Sequence, residues 1–269
     1  MGAGSLEGII NRAWAAYKNN YLSFIAAILL SGIIICALVL VGFVPLFFIL
    51  VGLAVQGMSS SEAAGYFFAN WAVALFSVLF AAAFVIAACI AACALQGGMS
   101  AMAVEAIRKG RTSYSTMFSA ARSRWKSFLG VSVLVTLIAL AVMGLLMLPA
   151  AAAFLSGSQI TGWLLFALGI LLIIPVAVLF GVLFSFVYFA VWADRLAAVA
   201  AVKTSMSFGR KNFWDVLIII LFFAVLSFIA GMLNAVTYVV GSLLAYFVVV
   251  PLQLLSLAAL YLGRKKGGR

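Results

Sequence analysis

A chain of 269 residues with 68% apolar and only 8% charged side chains cannot cover itself with a water-soluble surface, because an ordinary soluble domain carries about 25% charged residues. Its mean hydropathy of +1.33 means that its length divides into membrane spans, not soluble domains. Sixteen Lys and Arg against five acids give a net charge of +11, and the lack of histidine removes imidazole bases, His metal ligands and Ser-His triads.

In chain order, uncharged stretches cover residues 22–61, 63–104, 128–193 and 216–263. A span needs roughly 20 apolar residues to cross a hydrocarbon core of ~30 Å. The turn-forming Ser156-Gly157-Ser158-Gln159 divides the third stretch, and Gly231-Met232-Leu233-Asn234 divides the fourth. The pattern predicts an all-α polytopic membrane bundle, one membrane domain over 1–269, with six spans over about 22–50, 64–96, 128–153, 162–192, 214–233 and 237–262. Residues 5–20 are amphipathic and basic; they read as an N-terminal helix and not as a cleavable signal peptide. Residues 22–56 would form a helix about 52 Å long, too long for one straight crossing. Gly42-Phe43-Val44-Pro45 is the expected kink, after which 46–56 tilts or lies in the outer interface. Splitting this stretch into two spans would put Arg12 and Lys18 on the side opposite the other basic residues, so six spans are preferred.

With six spans every basic residue falls on one side: Arg12 and Lys18, the group from Arg108 to Lys126, then Arg195, Lys203, Arg210 and Lys211, and finally Arg264, Lys265, Lys266 and Arg269. The opposite loops hold only Glu62. The positive-inside bias then predicts a multi-pass protein of the cell membrane with both termini cytoplasmic. The charge is a topology signal, and no nucleic-acid partner is expected. Trp14, Trp125, Trp192 and Trp214 fall at inner boundaries, with Trp71 and Trp163 towards outer ones, where indole rings anchor among headgroups. The spans form three hairpins, each introduced by a basic aromatic elbow around Lys18, Lys126 and Lys211. Either an internal triplication or the general preference of inner helix starts for Lys and aromatics accounts for the likeness.

Two connectors, 97–127 and 193–213, are long enough to fold as helices against the inner membrane surface. In the first, Gly97-Gly98 ends the second span and a short helix runs over 99–109, stopped by Gly110; Ser113 or Ser115 caps the next. In the second, Leu196, Val199 and Val202 recur at helical spacing before Gly209. Ala83, Ala87 and Ala91 make a small-residue stripe along span two, suited to close helix packing or to a homo-oligomer contact.

The chemistry-bearing residues are few. Glu7, Glu62, Glu105, Asp194 and Asp215 all fall in loops or at helix ends, so the membrane core holds none of the ionisable groups that coupled transport uses. Asp194 either holds a headgroup or partner, or is a boundary acid that caps the connector or pairs locally; Glu105 is expected to pair with Arg108 or Lys109. Cys89 and Cys93 share a helix face, but Met143 and Met147 lie ~15 Å away in depth, so packing is the better reading and no cofactor is expected. Pro175 and Pro251 lie inside spans four and six, and with Ser185, Tyr188 and Gln253 they are the candidates for a pathway. Arg108, Lys109, Arg111, Arg122, Arg124, Lys126, Arg210 and Lys211 are the candidates for contact with anionic lipid headgroups.

The connector sequences GGMSAMAVEAIRKGRTSYSTMFSAARSRWKSFLG and YFAVWADRLAAVAAVKTSMSFGRKNFWDVL resemble a group of multi-spanning membrane proteins, many archaeal. They are similar to the membrane domain attached to some glycerophosphodiester phosphodiesterases. Gly97, Gly98, Met102, Gly110, Asp194, Arg195, Ser205, Asn212 and Trp214 carry the likeness. It implies a six-helix membrane domain and transfers no active site, since the catalytic domain's metal-binding acids and histidines have no counterpart here. The expected function is a non-enzymatic scaffold or accessory subunit that interacts with lipid or a membrane protein partner. The alternative is an uncoupled channel or carrier for a neutral or apolar solute.

Overall fold

The structure, a computed structural model, describes residues 6–55, 62, 65, 70–237 and 239–266. It is an all-α bundle: α1 (Leu6–Val55), α2 (Trp71–Lys109), α3 (Tyr114–Leu155), α4 (Gln159–Phe184), α5 (Val187–Ala193), α6 (Ala198–Lys211), α7 (Phe213–Thr237), α8 (Val240–Leu244), a π turn (Ala245–Val249) and α9 (Val250–Lys266). Six helical segments are long and apolar enough to cross a membrane. Neighbours in sequence pack side by side from α1 to α4, and α9 closes the bundle by returning to α1 and α2. The short α5 and α6 fill the basic end between α2, α3 and α4.

The amphipathic N-terminal segment is continuous with the first span. Its apolar face, Ile9, Ala13, Ala16, Tyr17, Phe24 and Ala27, repeats at helical spacing and is buried against protein. Gly42 and Pro45 do not break α1, which continues to Val55; Gln56 lies outside the described residues. Gly42 serves packing instead: a Cβ there would stand 2.5 Å from Phe84 Cβ. The small residues that bring α2 into contact are Ser77, Ala81 and Ala88, all buried, whereas Ala83 is exposed and Ala87 and Ala91 are half-buried. The close-packed stripe is therefore displaced round the helix from the expected Ala83–Ala87–Ala91 line.

Gly97-Gly98 does not end span two either. α2 runs straight through to Lys109, and residues 97–107 are its most buried part. A Cβ on Gly97 would lie 2.4 Å from the Phe128 ring, and one on Gly98 2.5 Å from the Met117 carbonyl oxygen, so both glycines let α3 cross α2 at backbone distance. The first connector is thus made of the buried ends of two long helices and not of a surface helix. Gly110 ends α2 as expected, in the left-handed region with φ 78° and its N–H on Ala106 O at 2.9 Å. Ser113 precedes the first turn of α3, but its hydroxyl bonds Ser115 Oγ at 2.6 Å and not a backbone N–H.

The turn after α3 falls where Ser156-Gly157 predicts it, with Gly157 at φ 82°. Residues 231–234 stay helical, and α7 continues to Thr237. The chain can return that late because Gly241 sits against α7, where a Cβ would meet the Ala230 and Asn234 backbone. Span four breaks at Ser185-Phe186, ten residues beyond Pro175, which is exposed within an unbroken α4. A break inside a bundle orphans backbone groups that lipid cannot satisfy. Ser205 of α6 repairs it: its Oγ donates to Leu183 O (2.7 Å) and accepts from Phe186 N (3.2 Å). Gly209, one turn on, lets α6 approach Val182 O closely enough for this. The buried face of α6 is therefore Ala201, Val202, Ser205 and Gly209, with Val199 turned outward.

Candidate functional site

Both corners at the basic end are pinned by polar side chains, and at the first of them these meet backbone groups that a helix end leaves unpaired. At the α2–α3 corner, buried Asn20 donates to Gly110 O (3.0 Å) and Ala16 O (2.7 Å), and accepts from Thr112 N (2.7 Å). Arg12 donates to Ile107 O (3.1 Å) and Ser23 to Thr112 O (3.1 Å). Glu105 pairs with Lys109 (2.8 Å), as expected for one of its two candidates, and accepts from Thr112 and Thr116 hydroxyls. In α9, Pro251 has no N–H to offer Phe247 O four residues back, and the Tyr17 hydroxyl donates to that carbonyl at 2.9 Å.

The α5–α6 corner is built differently. α5 ends at Ala193, Asp194 is its cap, and Arg195 adopts φ 56°, the one non-glycine residue with positive φ among the described residues. Leu196 N reaches back across this turn to Ala190 O at 3.5 Å, and a left-handed position at a helix end is usually glycine. Asp194 does not pair with its neighbour Arg195. It turns to α9, accepting from the Tyr261 hydroxyl (2.5 Å) and pairing with Lys265 Nζ. Tyr261 is itself buried among Phe186, Phe189 and Phe208, with ring centroids 4.9 to 6.3 Å away. Asp194 is thereby a structural pin between the α5–α6 corner and α9.

These corners leave two basic cavities. The larger, about 560 Å³, lies between α6 and α9 and is lined by Lys203, Lys211, Arg264 and Lys265 with Asn212 and Tyr261. The smaller, about 300 Å³, is lined by Arg108, Ser123, Arg124, Trp192, Ala193 and Arg195. Arg124 Nη1 donates to Arg195 O at 3.3 Å, tying α3 to the α5–α6 corner.

Of the eight residues expected to meet headgroups, Arg108 and Arg124 share the smaller cavity and Lys211 lines the larger. Lys109 is committed to Glu105. Arg111, Arg122, Lys126 and Arg210 are exposed and line neither cavity, with Lys126 lying over the Trp125 ring at 5.7 Å. Sequence reasoning missed Arg195, Lys203, Arg264 and Lys265 as cavity residues. The Arg195-Leu196 step after a short helix carries no glycine to mark its left-handed turn, so only the αL backbone itself reveals it.

The pathway candidates do not converge on either cavity. Pro175 is exposed, Pro251 is buried, Gln253 is half-buried, the Ser185 hydroxyl returns to Gly181 O, and Tyr188 bonds Ser132 Oγ at 2.8 Å. Cys36 and Cys89 are exposed and Cys93 is half-buried.

Fold and site together define a polytopic, all-helical, multi-pass membrane protein with a close-packed basic end. Comparison with protein-family models, curated proteins and solved structures finds no match to the chain. Of the connector residues, Gly97, Gly98, Gly110, Asp194, Arg195 and Ser205 have the local roles described above.

Proposed function

We propose that this protein is a non-enzymatic membrane module, a scaffold or accessory subunit, that engages anionic lipid headgroups with its basic end. In this reading the basic end and both termini face the cytoplasm of a cell membrane. The observation that carries it is the pair of basic cavities at the charged end of the bundle, one between the short α6 and the end of α9, the other where α2, α3 and α5 meet. Each basic residue near an anionic leaflet contributes up to ~1 kcal/mol of attraction, and held cavities add position to that charge. The same residues serve a membrane protein partner of acidic surface, and the exposed face of α2 around Ala83 is compatible with a second copy.

Two experiments test it. Orientation is read by single cysteines in a background lacking the native ones: Ser158→Cys should react with an impermeant reagent from outside, and Ser119→Cys and Ser207→Cys should not. Lipid engagement is read by native mass spectrometry of protein extracted in a mild detergent. The wild type should retain acidic lipids, and Lys203→Gln/Lys211→Gln should retain fewer. An unchanged lipid profile in that variant, with no acidic lipid enriched in the wild type, contradicts the proposal.

A further inference from the structure

We propose that the smaller cavity, walled by Arg108, Arg124 and Arg195, is a dedicated site for a phosphomonoester. This deepens the headgroup reading above and rests on it. The three guanidinium groups come from the end of α2, the start of α3 and the α5–α6 corner, so the fold, and not one charged run, brings them to one cavity. Guanidinium is planar, permanently charged and matched to phosphate oxygens in pairs, which makes three arginines a different instrument from a lysine-rich surface.

Charge bookkeeping separates the two cavities. In the larger one Arg264 is paired with Asp215 and Lys265 with Asp194, so two of its cations are already neutralised. Among the described residues, no carboxylate pairs with Arg108, Arg124 or Arg195. Three unneutralised arginines facing one cavity repel each other, and an anion relieves that repulsion. Arg195 adds a second, independent sign. It occupies a left-handed position that glycine fills at no steric cost, so its side chain is kept there against local backbone preference. Trp192 supplies an apolar wall, and Ser123, which holds only a long 3.2 Å bond to Ala120 O, can turn its proton to a ligand oxygen.

The ligand class follows from size and charge. About 300 Å³ lies at the small end of ligand sites and suits a headgroup more than a large molecule. A monoester phosphate presents three terminal oxygens and approaches a charge of −2 at neutral pH. A diester presents two and a charge of −1. Three guanidinium groups therefore favour the monoester. That chemistry is offered both by a lipid of the phosphatidic acid type and by a soluble phosphomonoester.

The test uses the full chain in detergent micelles containing equal phosphatidic acid and phosphatidylglycerol, read by native mass spectrometry. The wild type should retain phosphatidic acid in preference, and Arg124→Lys, which keeps the charge but loses the paired donors, should lower that preference about tenfold. Arg195→Gly should lower it as much while raising the thermal midpoint, because glycine suits the left-handed turn. Lys203→Gln/Lys211→Gln should lower total acidic lipid and leave the preference intact. Adding glycerol 3-phosphate assigns the source: displacement of the lipid identifies a soluble ligand, and its failure to displace identifies the lipid itself. If Arg195→Gly folds and keeps the full preference, or if the wild type retains both lipids equally, the inference is overturned. In the latter case, loss of both lipids in Lys203→Gln/Lys211→Gln would leave the broader headgroup reading standing.

Discussion

The two ends of this bundle are built by different physics. At the basic end Phe24, Met102, Phe128, Val191 and Leu260 are fully buried, and polar side chains close every corner. At the opposite end Leu155 is 90% exposed, Ile160 79% and Leu145 71%. Lipid tails are as apolar as these side chains, so no hydrophobic force draws helices together there. Association must come from close backbone approach and from hydrogen bonds that lipid cannot replace; the long-range hydrogen bonds gather where the charges are, while close approach also occurs away from them, at Gly42 and Gly241. The far end is largely exposed apolar surface; the basic end is the more densely buried part and holds both cavities.

Breaking the comparison should show this as unequal costs. The largest is expected at Gly98→Val, whose side chain would meet the Met117 backbone carbonyl, which cannot swing aside. Overpacking of this kind costs on the order of 3 kcal/mol and here should prevent a stable fold. Gly144→Val, in the outer part of α3 with nothing within 4 Å, should leave the thermal midpoint in detergent nearly unchanged.

Asn20→Ala comes next, at about 2 kcal/mol, because it strips Gly110 O and Thr112 N of their buried partner at a part-buried corner. Ser205→Ala should cost about 1 to 2 kcal/mol by exposing the break between α4 and α5, and faster hydrogen exchange at Phe186 would locate the damage. Leu155→Ala should stay within about 0.5 kcal/mol despite removing a large apolar side chain. A loss at Leu155 as large as that at Asn20 would remove the distinction between the ends.

Much of the architecture is legible in the residues. Uncharged runs mark the spans, Gly110 and the Ser156-Gly157 pair mark two turns, and the asymmetry of Lys and Arg marks the basic end. What escapes sequence reading is the use to which an ambiguous residue is put. Gly42, Gly97 and Gly98 read as kink or terminator, yet each exists for a neighbouring helix that only the tertiary fold supplies. Pro175 reads as a pathway candidate inside span four and lies in an unbroken α4, while the break at Ser185-Phe186 is made possible by Ser205, distant in sequence. The cavities were half legible: Arg108 and Arg124 stand out as charges in a basic connector, but their partner Arg195 is set by a backbone conformation that its side chain does not advertise.

The central claim, that the basic end is both the stable core and the part that meets anionic headgroups, is most directly tested by hydrogen exchange in nanodiscs, comparing phosphatidylcholine alone with phosphatidylcholine containing phosphatidic acid. Residues 97–107, 186–191 and 201–209 should be the slowest to exchange among the basic-end segments in both, and 108–124 and 192–196 should slow further only when the acidic lipid is present. Equal protection along α3 from 114 to 155, with no change at those two segments on adding phosphatidic acid, would contradict the account.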